Sequence, residues 1–195
     1  MPGTLYITGD ADADALLNED GTALVIGMLL DQQVPMEWAF AGPATLRTRL
    51  GHLDARRIAE LDREEFVSIC CQKPSIHRFP ASMGRRIHDL CTTLVAEFAG
   101  TGDGVWRGVR TGDELYERLR RLPGYGDQKT KIFIALLAKR MGIKPRGWRE
   151  AAGVFSDRNP RSAADSASPA TLAKVRDWKK AAKAAKRDKQ DRATS

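Results

Sequence analysis

The stretch Leu122-Pro123-Gly124-Tyr125-Gly126-Asp127-Gln128-Lys129-Thr130 constrains this chain more than any other, because it sits between two apolar helical runs and places two glycines one residue apart. Leu115, Leu119 and Leu122 recur at helical spacing before the turn, and Ile132, Phe133, Ala135, Leu136 and Leu137 make a broad apolar face after it. Two helices joined so tightly form a hairpin over about 112–141. The Gly-x-Gly turn leaves the first N–H groups of the second helix unpaired and facing outward, which is a seat for a phosphate. Gly124 and Gly126 let the backbone approach that phosphate, the N–H groups from about Gly126 to Lys129 donate to it, and Lys129 or Lys131 adds a point charge. Tyr125, at the turn, either stacks on a ligand or packs inward.

The rest of the chain reads as helical scaffold. Ala23-Leu24-Val25-Ile26-Gly27-Met28-Leu29-Leu30 is apolar on every side, which predicts a buried central helix. It ends in Asp31-Gln32-Gln33, three polar residues before Val34-Pro35; this is either simple helix termination or a deliberate polar edge. Further helices are expected from Pro35 to about Leu50, over His52–Leu61 and Arg63–Cys71 with Asp54 and Asp62 as N-caps, over Ser82–Phe98, and over Trp148–Gly153. Asp10 or Asp12 caps a short helical turn near Ala11–Leu17. No segment alternates like a strand, so the fold class is all-α. A domain over 1–153, a polar linker over 154–170 and a basic helix or tail over 171–195 complete the expected organisation.

The formal charge is +7, but nine basic and three acidic residues fall between Thr171 and Ser195, so the tail carries almost all of the excess. Affinity for a polyanion must then come from the tail, a local patch or oriented backbone dipoles. Three cysteines, Cys70, Cys71 and Cys91, rule out a four-thiolate iron–sulfur cluster or zinc site by count and fit a reducing compartment. His52, His77 and His88 lack metal-ligand spacing and read as surface or loop residues; Trp148 and Trp178 read as packing anchors rather than base-stacking plates. No apolar run approaches the ~18 residues of a membrane span. A soluble cytoplasmic monomer is expected.

With Leu122-Pro123-Gly124-Tyr125-Gly126 lying about ninety residues after Met28-Leu29-Leu30-Asp31-Gln32-Gln33, the region Thr22–Met141 resembles the helix-hairpin-helix superfamily of base-excision DNA glycosylases. It is similar to a small actinobacterial-type subgroup without an iron–sulfur cluster. The resemblance implies a two-lobed helical fold, damaged double-stranded DNA as partner and a place at the nucleoid. It implies DNA contacts from Gln33, as the wedge that fills the gap left by a displaced base, and from Gly124, Tyr125, Gly126, Gln128, Lys129 and Thr130. A monovalent cation, K+ or Na+, on the hairpin carbonyls is implied in the same way.

The chain departs from the family pattern at the chemistry. The family's essential Asp lies about eighteen to twenty residues beyond the hairpin, and the corresponding window holds Arg146, Gly147 and Trp148. The nearest acids are Glu150 and Asp157, which become the candidate catalytic carboxylates. Gln128 stands where bifunctional members carry a lysine nucleophile, and Lys129 is turned from that position by about 100°. A monofunctional N-glycosylase is therefore expected, with a catalytically silent damage sensor or architectural DNA binder as the alternative.

Overall fold

Aspartate caps start many of the helices. In the computed structural model, which describes residues 3–193 and side chains through residue 185, Asp10 caps α1 (Ala11–Glu19) by accepting from Ala13 N at 2.8 Å. Asp20 caps α2 (Gly21–Leu30) by accepting from Thr22 N at 2.7 Å and Ala23 N at 3.2 Å. After α3 (Met36–Leu50), Asp54 and Asp62 serve α4 (Ala55–Glu60) and α5 (Arg63–Cys71) in the same way, as their positions predict. Then come α6 (Pro80–Glu97), α7 (Gly112–Arg120), α8 (Asp127–Arg140), α9 (Trp148–Ala152) and α10 (Pro169–Ala193). The architecture is all-helical; the one bridge among the described residues pairs Thr111 with Arg146.

Every residue of α2 is buried, because its sequence has no polar face to turn outward. Burying a Leu-sized side chain is worth about 1.5–3 kcal/mol, so Leu24, Ile26, Leu29 and Leu30 make α2 the element on which the others close. Helices α3 and α6 and the turn Gly102–Val105 pack on it directly, and α4 and α5 pack on α6. Helices α7, α8 and α9 form a second group around Phe133, Ile134, Leu136 and Leu137. Burial pushes the Cys70 thiol up to about 12 and Cys91 up as well, so these thiols are core residues. No described helix is long and apolar enough to cross a membrane.

The expected linker over 154–170 is instead part of the packed body. Ala163 and Ala164 are fully buried, and so are Ser162 and Ser166. The polar residues that made this segment look solvated are used internally: Asp165 accepts from Arg161 N at 3.0 Å, Ser162 N at 3.1 Å and Lys139 Nζ at 2.7 Å. The N-terminal segment closes over it, with Tyr6 N donating to Ser166 O at 3.3 Å and Thr4 N to Arg140 O at 3.0 Å. These bonds tie 154–170 to α8 and to the N-terminal segment. Helix α10 is anchored by Leu172 and Val175, and from Arg176 through residue 185 it is exposed. The side chains of Lys186, Arg187, Lys189 and Arg192, counted in the basic tail, lie outside the described residues.

Candidate nucleic-acid interface

The hairpin between α7 and α8 closes by a hydrogen bond from Tyr125 N to Leu122 O at 3.1 Å. Gly124 takes φ +80°, and a Cβ there would stand 2.5 Å from Leu29 Cδ1, so the turn is seated directly on α2. Gly126 differs: its φ is −72°, and nothing lies within 4 Å of where a Cβ would be. It is the N-cap of α8 and offers no side chain to the helix end. Thr130 N makes the first turn's bond to Gly126 O at 3.0 Å, and among the described residues the N–H groups of Gly126, Asp127, Gln128 and Lys129 have no acceptor. These donors stand at the positive end of the α8 dipole, where Gly126, Asp127 and Gln128 are exposed. Asp127 opposes an anion here, but its carboxylate is turned aside, held below its usual range first by the Tyr116 hydroxyl at 2.8 Å and then by Lys131.

Three expected DNA contacts are corrected. Tyr125 is 2% exposed, donates through its hydroxyl to Val25 O at 2.8 Å and meets Phe133 edge-on at 5.7 Å, so it packs inward and presents nothing to a ligand. Thr130 is fully buried. Lys129 points away from the phosphate seat: its Nζ donates to Met28 O (2.5 Å), Leu29 O (2.9 Å) and Asp31 O (3.4 Å), capping the C-terminus of α2. The negative end of the helix favours this ammonium, while burial pulls its pKa down to about 8, with Asp31 opposing the shift. The expected result for Lys129→Met is a loss of about 2 kcal/mol or more of stability in urea denaturation, from carbonyls left without a donor. An unchanged midpoint would remove Lys129 from this role.

The same contacts lock the phosphate seat to the loop Asp31–Val34. Gln32 is scaffold: its Nε2 donates to Leu29 O at 2.8 Å, its Oε1 accepts from Arg86 Nη1 at 3.2 Å, and its carbonyl accepts from His77 Nε2 at 2.9 Å. His77, expected at the surface, is 1% exposed and accepts at Nδ1 from Phe79 N, which fixes the neutral tautomer; burial lowers its pKa first of all. Gln33 is exposed, makes no side-chain hydrogen bond among the described residues and takes φ +58°. A non-glycine residue in the left-handed region costs about 1–2 kcal/mol, so the fold holds this side chain outward against a local preference.

Between this loop and the start of α8 lies a cleft of about 550 Å³. Gln33 and Gln128 stand at its polar side, Ile132, Val154 and Phe155 form an apolar wall, and Trp178, Lys179 and Lys183 of α10 close it. The expected catalytic acids do not reach it. Glu150 is an exposed residue of α9 outside the cleft. Asp157 is occupied, taking Arg161 Nη2 at 2.9 Å and Asn159 Nδ2 at 2.8 Å, and its carboxyl is held down at about 2 chiefly by Arg161. Arg146 lies beside the start of α7, with Gly112 N donating to its carbonyl at 2.8 Å, at the end of the hairpin remote from the turn. Among the described residues, the one carboxylate lining the cleft is Asp31, which read in the sequence as part of a helix terminus. Its only signal was membership of the triplet Asp31-Gln32-Gln33.

One hairpin carbonyl is already engaged. The Tyr125 carbonyl already accepts from Arg120 Nη1 at 2.6 Å, so an added ion would stand against a guanidinium. Arg120 supplies positive charge there from the chain itself. No protein-family model, no curated protein and no solved structure matches this chain.

Proposed function

We propose that this protein binds double-stranded DNA at damaged or distorted positions, using Gln33 as a wedge and the start of α8 as a phosphate seat. The observation that carries this reading is the pairing of an outward-held, unpartnered Gln33 with an open helix N-terminus, fixed to one another through Lys129, Tyr125 and Leu29. A duplex strand docked by a phosphate on Gly126–Lys129 presents its stack to Gln33, whose amide has donors and acceptors for an orphaned base. The displaced nucleotide enters the cleft, where Phe155 and the face of Trp178 opposite the Arg161 guanidinium offer apolar surface and Lys179 and Lys183 are near for its phosphates. The all-helical arrangement around α2 is compatible with the two-lobed glycosylase-like fold that the motifs resemble. The reading takes the protein as a monomer associated with the nucleoid.

Cleavage of the N-glycosidic bond is the second reading, and the placement of Asp31 in the cleft favours it over a silent sensor. The binding reading is tested by fluorescence anisotropy with duplexes that differ only in one abasic-site analogue. The wild type is expected to prefer the abasic duplex, and Gln33→Ala to lose about tenfold of that preference, the worth of a filled gap of order 1.4 kcal/mol. Equal affinity of the wild type for both duplexes would refute the wedge.

A further inference from the structure

A second concavity opens at the far end of α8 from the hairpin, between the last turn of α8, α9, the segment that follows it and the first turns of α10. It encloses about 820 Å³, the size of a small-ligand site. Its wall is cationic, with Arg140, Lys144, Arg149, Arg158 and Lys174 around the opening. Two carboxylates line it, and both are committed: Asp165 to Lys139 Nζ at 2.7 Å, and Asp157 to Arg161 Nη2 at 2.9 Å. None of the five cations has a carboxylate partner among the described residues.

Arg140 is the half-buried member of this set. Its Nε is buried and has no acceptor among the described residues, and burial holds the guanidinium below its usual range, with Asp165 opposing. Because that Nε is closed to solvent, an anion in the concavity would meet only the remaining, accessible part of the guanidinium. Guanidinium forks match the paired oxygens of a phosphate, and ammonium groups complete its charge. A single phosphate monoester carries only about −1.5 to −2 at neutral pH, too little for a wall with this much unpaired charge; two or three linked phosphates match it better. A duplex, by contrast, is too broad to enter a concavity of this size. The fourteen residues of α8 set the pocket about 20 Å from the hairpin, so it is separate from the phosphate seat.

We propose that this pocket binds a compact polyphosphate anion, a chain of two or three linked phosphates. The proposal stands independently of the DNA reading. Isothermal titration of the full chain with pyrophosphate and tripolyphosphate tests it, with orthophosphate and an uncharged nucleoside as controls. Both polyphosphates are expected to bind at least about tenfold more tightly than orthophosphate, and the nucleoside not at all. The double variant Lys144→Glu/Arg149→Glu, at two exposed positions, is expected to weaken polyphosphate binding by at least about tenfold, with an unchanged far-UV circular dichroism spectrum. Gly126→Ala is expected to leave it unaltered. No binding of the polyphosphates, equal binding by the double variant, or a double variant that loses affinity for duplex DNA alone would each overturn the proposal.

Discussion

Replacing Gly126 with Ala is expected to weaken binding to abasic-site duplex DNA by about ten- to a hundredfold while leaving the folded state intact. The added methyl group meets nothing in the protein, since no atom lies within 4 Å of its position, and φ −72° is open to any residue. It would add bulk at the exposed N-cap, beside the unpaired N–H groups that a phosphate oxygen has to approach to about 2.9 Å. Losing one charge-assisted hydrogen bond costs about 1.5–3 kcal/mol, which sets the expected loss of affinity. Stability in urea should move by less than about 1 kcal/mol, because Ala also restricts the unfolded chain. Gly124→Ala provides the contrast. Its φ of +80° and the 2.5 Å approach of Leu29 Cδ1 mean that it should destabilise the fold and shift the hairpin on α2. Anisotropy and urea denaturation on both variants separate the seat from the scaffold, and unchanged affinity in Gly126→Ala would remove the hairpin from the DNA interface.

The parts of this molecule that could be read from the sequence are those fixed by short-range chemistry. Asp54 and Asp62 cap their helices because a carboxylate two or three residues before a free N–H needs no other partner, and α2 is buried because no side of it is polar. The hairpin was legible for the same reason, with its glycines and both apolar faces lying within thirty residues. What could not be read depends on partners far along the chain. Lys129 looks like a phosphate ligand until its Nζ is found on Met28 O, 101 positions away, and Tyr125 looks like a stacking ring until its hydroxyl is found on Val25 O. Composition misled at 154–170, where serines and aspartates that suggest a solvated linker are spent on Lys139, Arg161 and the local backbone. At the candidate site, counting along the chain to position 146 presumed a return path towards the hairpin, and the chain instead carries Arg146 to the start of α7. Asp31 escaped notice because a carboxylate at a helix end is explained by termination alone, and only the cleft gives it neighbours.

Asp31→Asn is expected to reduce base release by a hundredfold or more on any lesion the wild type processes, while abasic-site binding stays within about threefold. Departure of a base leaves positive charge on the sugar, and a carboxylate held beside it stabilises that charge or orients the attacking water; such groups contribute about 10²–10⁴ in rate. Asp31 is the carboxylate that lines the cleft, and its backbone is fixed by Lys129 Nζ at 3.4 Å and by its own N–H on Gly27 O at 3.1 Å. The Asn side chain keeps the shape and removes the charge, so it separates chemistry from docking. Three cations line the same cleft and oppose a cationic sugar: Arg161 is paired with Asp157, and DNA phosphates would neutralise Lys179 and Lys183 on binding. Glu150→Gln serves as a control with an expected rate near wild type, since Glu150 lies outside the cleft; Asp157→Asn is not a neutral control, because Asp157 holds Arg161 of the cleft lining. The measurement is base release from duplexes carrying uracil, oxidised purines or alkylated bases, with gel-resolved cleavage at the resulting abasic sites. Undiminished release by Asp31→Asn would dismiss this carboxylate, and no release by the wild type across the panel would leave a protein that finds damage by wedge and phosphate seat alone.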